Sequence, residues 1–173
     1  MIHYLDRKNI MASDILILYK SGSDQMYQAN EQTERDLRLF RIWLKSTKTV
    51  FDNVIEDIRG YGLTAENFMV LELLYNKGPH YIQTISEKLM IPSGSITYVV
   101  NKLEKKELVK REQVEANRRY WRVGLTEKGE ELFNEIFPQH IKTIKKNLGS
   151  LDDNEKEQLA VLLKKVGLNA KKL

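Results

Sequence analysis

Between residues 79 and 126, PHYIQTISEKLMIPSGSITYVVNKLEKKELVKREQVEANRRYWRVGLT, two short helical patterns meet at a proline and give way to two alternating patterns. That order constrains the fold more than any other feature of the chain. Ile82, Ile85 and Leu89 share one face of a first helix over roughly 83–89, and residues 90–92 form the turn. Pro92 disfavours continuing that helix, and Ser93 has a side chain able to cap a new one, so the second helix is expected to open at Ser93. Ile96, Val99, Val100 and Leu103 recur at spacings of three and four, making one face core. The opposite face carries Ser95, Thr97, Tyr98, Asn101 and Lys102, which together with Ser93 at the helix start are the groups expected to reach base edges and phosphates from a major groove. After Lys106 the period changes to two, over 108–113 and 120–125, with Trp121, Val123 and Leu125 expected on a buried face. Asn117, Arg118 and Arg119 fall between the strands, at a polar cationic tip suited to a narrow minor groove. The fold class expected is mostly α with a small β-hairpin wing, a winged helix-turn-helix of the kind that reads DNA.

The flanks hold more apolar helix than such a head requires. Leu37, Phe40, Leu44, Phe51, Val54, Ile55 and Ile58 mark a long helix over 33–60, ended by Gly60 and Gly62. Thr64 can cap the next helix, with Phe68, Leu71, Leu74 and Tyr75 on its apolar side. Thr126 can cap another, through Leu132, Phe133, Ile136 and Phe137, which Pro138 is expected to break or kink unless a helix restarts there. Asp152, with Glu155 three residues on, reads as a capping box opening a last helix through Leu159, Leu162, Leu163 and Val166. The division expected is an extension over 1–32, dimerisation helices over 33–60 and 138–173, and a DNA-binding domain over 61–137. The apolar surplus at both ends suits a homodimer interface. Residues 1–32, with ILILY at 15–19 set in a polar, turn-rich context, read as a mobile extension.

Three runs resemble the MarR family of winged-helix transcription regulators: LTAENFMVLELLYNKG (63–78), ISEKLMIPSGSITYVVNKLEKKELVKR (85–111) and NRRYWRVGLTEKG (117–129). SGSITYVVNKLE together with the later EIFPQH resembles the branch of that family responding to quinones and related aromatics. The chain departs from the family at Asn117, where an acidic residue often precedes the paired arginines and would brace one of them. The resemblance implies a homodimer of terminal helices and a repressor bound to a pseudo-palindromic operator, released by a small aromatic effector. It places that effector between the dimerisation helices and the reading head, near Trp43, Tyr61, Phe68, Tyr75, Phe137 and His140.

Charge is distributed to match. Net charge is only +4, yet residues 101–122 hold eight Lys/Arg against four Glu, and 142–173 again eight against four Asp/Glu. The remainder is therefore 12 basic against 16 acidic, so the excess sits at the head and at the C-terminal stretch. No long apolar run or signal-peptide pattern occurs, and a cytoplasmic protein with no membrane partner is expected. The chain has no cysteine, which excludes thiolate catalysis and thiol redox sensing. His3, His80 and His140 are scattered, with no metal-ligand spacing, and no phosphate-loop or nucleophile-elbow pattern appears. No enzyme activity, cofactor or metal is expected. The alternative reading is a winged-helix module that binds protein, which should present an apolar or acidic second-helix face instead of this polar one.

Overall fold

Each helix of the head begins or ends where local chemistry satisfies its free amides or carbonyls. The structure, a computed structural model, describes residues 30–114 and 117–172; the expected extension falls almost wholly outside them. Helix α1 is Glu31–Gly60, two residues longer at its start than expected because the Asn30 side chain accepts from the Thr33 amide at 2.9 Å. Then come α2 (Ala65–Lys77), β1 (His80–Tyr81), α3 (Ile82–Leu89), α4 (Ser93–Lys105), β2 (Val109–Val114), β3 (Asn117–Leu125), α5 (Glu127–Asn147) and α6 (Asp153–Ala170). Thr64 caps α2 and Thr126 caps α5 through their hydroxyls, and Asp152 with Glu155 forms the full capping box of α6. Gly78, at φ 73°, ends α2 in a backbone region that glycine enters without strain.

The chain divides into two compact units between Asp52 and Asn53, within the run of α1. In the first unit the described helix buries no residue fully, and Leu39, Phe40, Ile42 and Trp43 are exposed. The second unit holds the core. Phe68, Leu71 and Leu74 of α2, Ile85 of α3, Ile96, Val100 and Leu103 of α4, Val123 of β3 and Phe133 of α5 are each almost fully buried together.

Four sequence expectations change here. Ser93 does not cap α4: Pro92, extended at φ −52° and ψ 140°, takes the cap position, and no side chain bonds the first-turn amides. Proline's fixed φ and the extended ψ place the helix start one residue beyond it, so Ser93 is already helical. Pro138 does not break α5, which runs unbroken through it. Phe133 and Ile136 before it and His140 after it are all buried, and their packing outweighs the roughly 3 kcal/mol that an interior proline costs. Trp121 is 48% exposed instead of buried, because its partner Gln113 lies beyond the part of the sheet the core covers. The sheet also has a third strand. It runs β1-β3-β2, antiparallel, with His80 opposite Val123 and Val109 opposite Leu125, and a two-residue strand is too short to show a period in sequence.

A polar cluster inside the second unit ties the end of α1 to α5. Asp57 accepts from Tyr61 at 2.8 Å and from Thr143 at 2.7 Å, and its other oxygen lies 2.7 Å from His140 Nδ1. Burial pushes the Asp57 carboxyl up, but the bonds from Thr143, His140 and Tyr61 together outweigh it and hold it below the usual 3.8. Burial, then the bond to Asp57, pushes the Tyr61 hydroxyl up to about 12. Asp57→Ala strands the buried His140 and the half-buried Tyr61 and Thr143, and should cost about 3 kcal/mol at neutral pH. Because the folded pKa is depressed, this stabilisation is present above the unfolded value and is lost as pH falls through the folded one. Thermal melts should therefore show the gap between wild type and Asp57→Ala narrowing from neutrality to acid below 3.8. A gap that stays constant would mean that the carboxylate charge contributes nothing.

Candidate nucleic-acid interface

Helix α4 separates its two chemistries cleanly. Ile96, Val99, Val100 and Leu103 face the core, while Ser93, Ser95, Thr97, Tyr98, Asn101 and Lys102 are exposed along the other side. Tyr98 stands out most, at 68% exposure. A phenol so exposed on a helix otherwise polar on that face is placed to touch something outside the chain.

Internal bonds limit what the others can offer. Thr97 donates its hydroxyl proton to the Ser93 carbonyl at 2.9 Å, so it presents its methyl group and oxygen lone pairs outward. Asn101 accepts from Arg111 Nη2 at 2.5 Å, and Arg111 also pairs with Glu104. One lone pair of its carbonyl is engaged, so Asn101 keeps its amide hydrogens for an acceptor such as guanine O6 or N7, or a phosphate, and a two-bond pairing with adenine would have to use the remaining lone pair. Arg111, one of the eight Lys/Arg in 101–122, is a brace locking strand β2 to the end of α4. Lys110 pairs with Glu112 at 2.7 Å and Lys128 with Glu107 at 2.9 Å, so part of the local basic excess is neutralised within the head. Among the described residues no carboxylate lies within ion-pair distance of Lys102, which remains available for phosphate.

The wing is a longer hairpin than expected. Strand β2 ends at Val114 and β3 begins at Asn117, so Asn117, Arg118 and Arg119 belong to strand backbone, not to a loop, with the register shifting after Gln113. The tip at 115–116 and the side chains of 114–120 lie outside the described residues. Nearer its base, the Arg122 guanidinium sits 5.1 Å above the Tyr81 ring, joining β3 to β1.

The residues expected to hold an effector separate into three settings. Phe68, Tyr75, Phe137 and His140 pack through Phe133 into one aromatic cluster, with Phe68 4.5 Å from His140 and Tyr75 5.0 Å from Phe133 between ring centres. Tyr61 is engaged by Asp57. Trp43 is 40% exposed on the first unit. Tyr75, which donates to Asn134 at 2.6 Å, also lines a cavity of about 250 Å³ with Leu74, Pro79 and Leu125. Among the described residues no group of three or more His, Asp or Glu side chains is arranged to hold a metal ion, and no helix is long and apolar enough to cross a membrane.

A helix-turn-helix with an exposed polar second helix, braced against a basic wing, defines the chain as a winged-helix DNA-binding regulator. The MarR family model matches residues 63–120. MhqR, an HTH-type transcriptional regulator of Bacillus subtilis, is 43% identical over 139 residues, which span 80% of this chain and 96% of MhqR. The chain belongs to the MarR family of transcription regulators, and it is not an enzyme. Solved structures share the fold. AbsC, a MarR family transcriptional regulator from Streptomyces coelicolor, superimposes with a TM-score of 0.72 at 18% identity, covering 86% of this chain and all (100%) of AbsC. BpsR of Bordetella bronchiseptica, whose DNA binding is regulated by 6-hydroxynicotinic acid, does so at 0.63 and 24% identity, covering 79% of this chain and 99% of BpsR.

Proposed function

We propose that the chain is a homodimeric repressor that reads a pseudo-palindromic operator with two copies of α4 and is released by a small aromatic compound. The observation that carries the dimer is α6, which buries no residue although Val161, Leu162 and Leu168 are each more than half exposed. An isolated helix of this length is marginal in water, and an apolar face of this size asks for a partner surface. A second copy supplies that surface, and it also places two heads at the spacing of about 34 Å that two half-sites require.

Release by an aromatic compound is supported by the resemblance to the quinone-responsive branch, and by BpsR, where a small aromatic acid regulates DNA binding on the same fold. Within the second unit the half-buried Tyr61, Tyr75 and Phe137 are the aromatic groups proposed to meet the effector, with the buried Phe68 and His140 supporting that cluster, and Trp43 is a candidate contact on the first unit. To act, it must bind the head spacing that does not fit DNA better than the one that does, since equal affinity shifts nothing.

The test is a gel shift on the DNA upstream of the chain's own coding region, against an unrelated duplex. Tyr98→Ala should lower the ratio of specific to non-specific affinity by about tenfold, the cost of one lost base contact. A quinone or phenol added to the wild-type complex should free the operator while changing tryptophan fluorescence. An unchanged ratio for Tyr98→Ala would remove α4 as the reading helix, and fluorescence change without release would remove the effector from the mechanism.

A further inference from the structure

Beside the reading face lies a second polar feature. The start of α2 and the first half of α4 enclose an open groove of about 480 Å³, lined by Glu66 and Asn67 on one wall and Gly94, Ser95, Tyr98 and Lys102 on the other. Asn67 is only 2% exposed. Its backbone amide is capped by the Thr64 hydroxyl, but its side-chain amide has no partner among the described residues. Every fully enclosed side-chain nitrogen and oxygen described does have a partner, so the Asn67 amide must reach the surface at the groove it lines. An amide open to the outside only at this groove is free to bond a polar group that enters it.

The rest of the groove favours an anion. The positive end of helix α2 forms one wall at Thr64, Glu66 and Asn67, and the first turn of α4, which has no capping side chain, forms the other at Gly94 and Ser95. Lys102 adds a full positive charge. Glu66 opposes an anion, but it is exposed at the rim and can turn toward solvent. Gly94 meets nothing within 4 Å where a side chain would start, so the groove is open above it.

We propose that this groove seats one backbone phosphate of each DNA half-site, bound by the Asn67 side-chain amide, the first-turn amides of α2 and the Lys102 ammonium. The inference deepens the reading of α4 as the DNA-reading helix and rests on it. Phosphate contacts set register and base contacts specify sequence. A phosphate fixed beside Tyr98 therefore determines where along the major groove that phenol falls.

The experiment is a methylphosphonate scan of the operator duplex, one neutral linkage at a time, with full-length wild type, Asn67→Ala, Lys102→Gln and Tyr98→Ala, read by fluorescence anisotropy. One linkage in each half-site should weaken wild-type binding by about tenfold, as expected for a lost charged hydrogen bond, and should have no further effect in Asn67→Ala. Lys102→Gln should show the same loss of response and should flatten the salt dependence by about one unit of slope per head. Since Lys102 is exposed, that variant carries the test even if Asn67→Ala does not fold. Additive effects at every linkage in both variants would overturn the seat while leaving the α4 reading intact. A Tyr98→Ala protein with unaltered specificity would instead mean that the reading itself has failed. Release of DNA by inorganic phosphate at constant ionic strength, with additive linkage effects, would assign the groove to a free anion and overturn its assignment to DNA.

Discussion

Ending the chain at Ser150, so that α6 is lost, is expected to lower operator affinity by roughly 10²- to 10⁴-fold while leaving each head folded. The core of the head draws nothing from α6, which contributes no residue to it. What the truncation removes is the linkage of two heads, and with it the effective concentration that makes the second half-site contact intramolecular. The remaining protein should sediment as a monomer, with half-buried Leu132 and Ile144 more open to solvent, and should bind specific and unrelated duplexes with similar weak affinity. Ultracentrifugation and anisotropy on the same sample decide this. A truncated monomer that still held its operator at the wild-type level would sink the two-headed reading.

Gly129→Ala should destabilise the head by about 3 kcal/mol, or lower its melting temperature by about 6 to 12 °C. A Cβ there would lie 2.1 Å from the Leu108 carbonyl oxygen, a distance at which backbone must move. That oxygen cannot move without loss, because it accepts the Thr126 amide at 3.1 Å, while the Thr126 hydroxyl donates to the Glu107 carbonyl at 2.6 Å. The wing base and the start of α5 are thus joined through two adjacent carbonyls, with Gly129 as the space that lets the Leu108 one approach. Gly94→Ala is the control: with nothing near its added methyl it should be neutral or stabilising by up to about 1 kcal/mol, since alanine prefers a helix. Equal melting temperatures for the two variants would refute the clash.

The contrast between those two glycines marks where sequence information ends. Thr64, Thr126 and the Asp152–Glu155 pair announce their helices because a cap acts on amides two or three residues away, and the core face of α4 is legible because helical period is local. Those signals are sufficient to define the winged head and its polar reading face, and the family resemblance runs along the same residues. They fail where the partner is distant in sequence. Pro138 reads as a break or a kink, yet α5 continues unbroken through it because residues on both sides are held by the core. Arg111 enters the sequence only as one of eight basic residues in 101–122, whereas folding brings it to Asn101 and Glu104 and makes it a brace. Asp57 and His140 are 83 positions apart, and neither marks the other in the sequence. Gly94 and Gly129 look alike as helical glycines until the Leu108 carbonyl is seen against one of them. Local hydrogen bonding and period are written in neighbouring residues and so determine the elements. Close approach, burial of charge and the engagement of each polar group depend on which surfaces meet, and only the tertiary structure decides that.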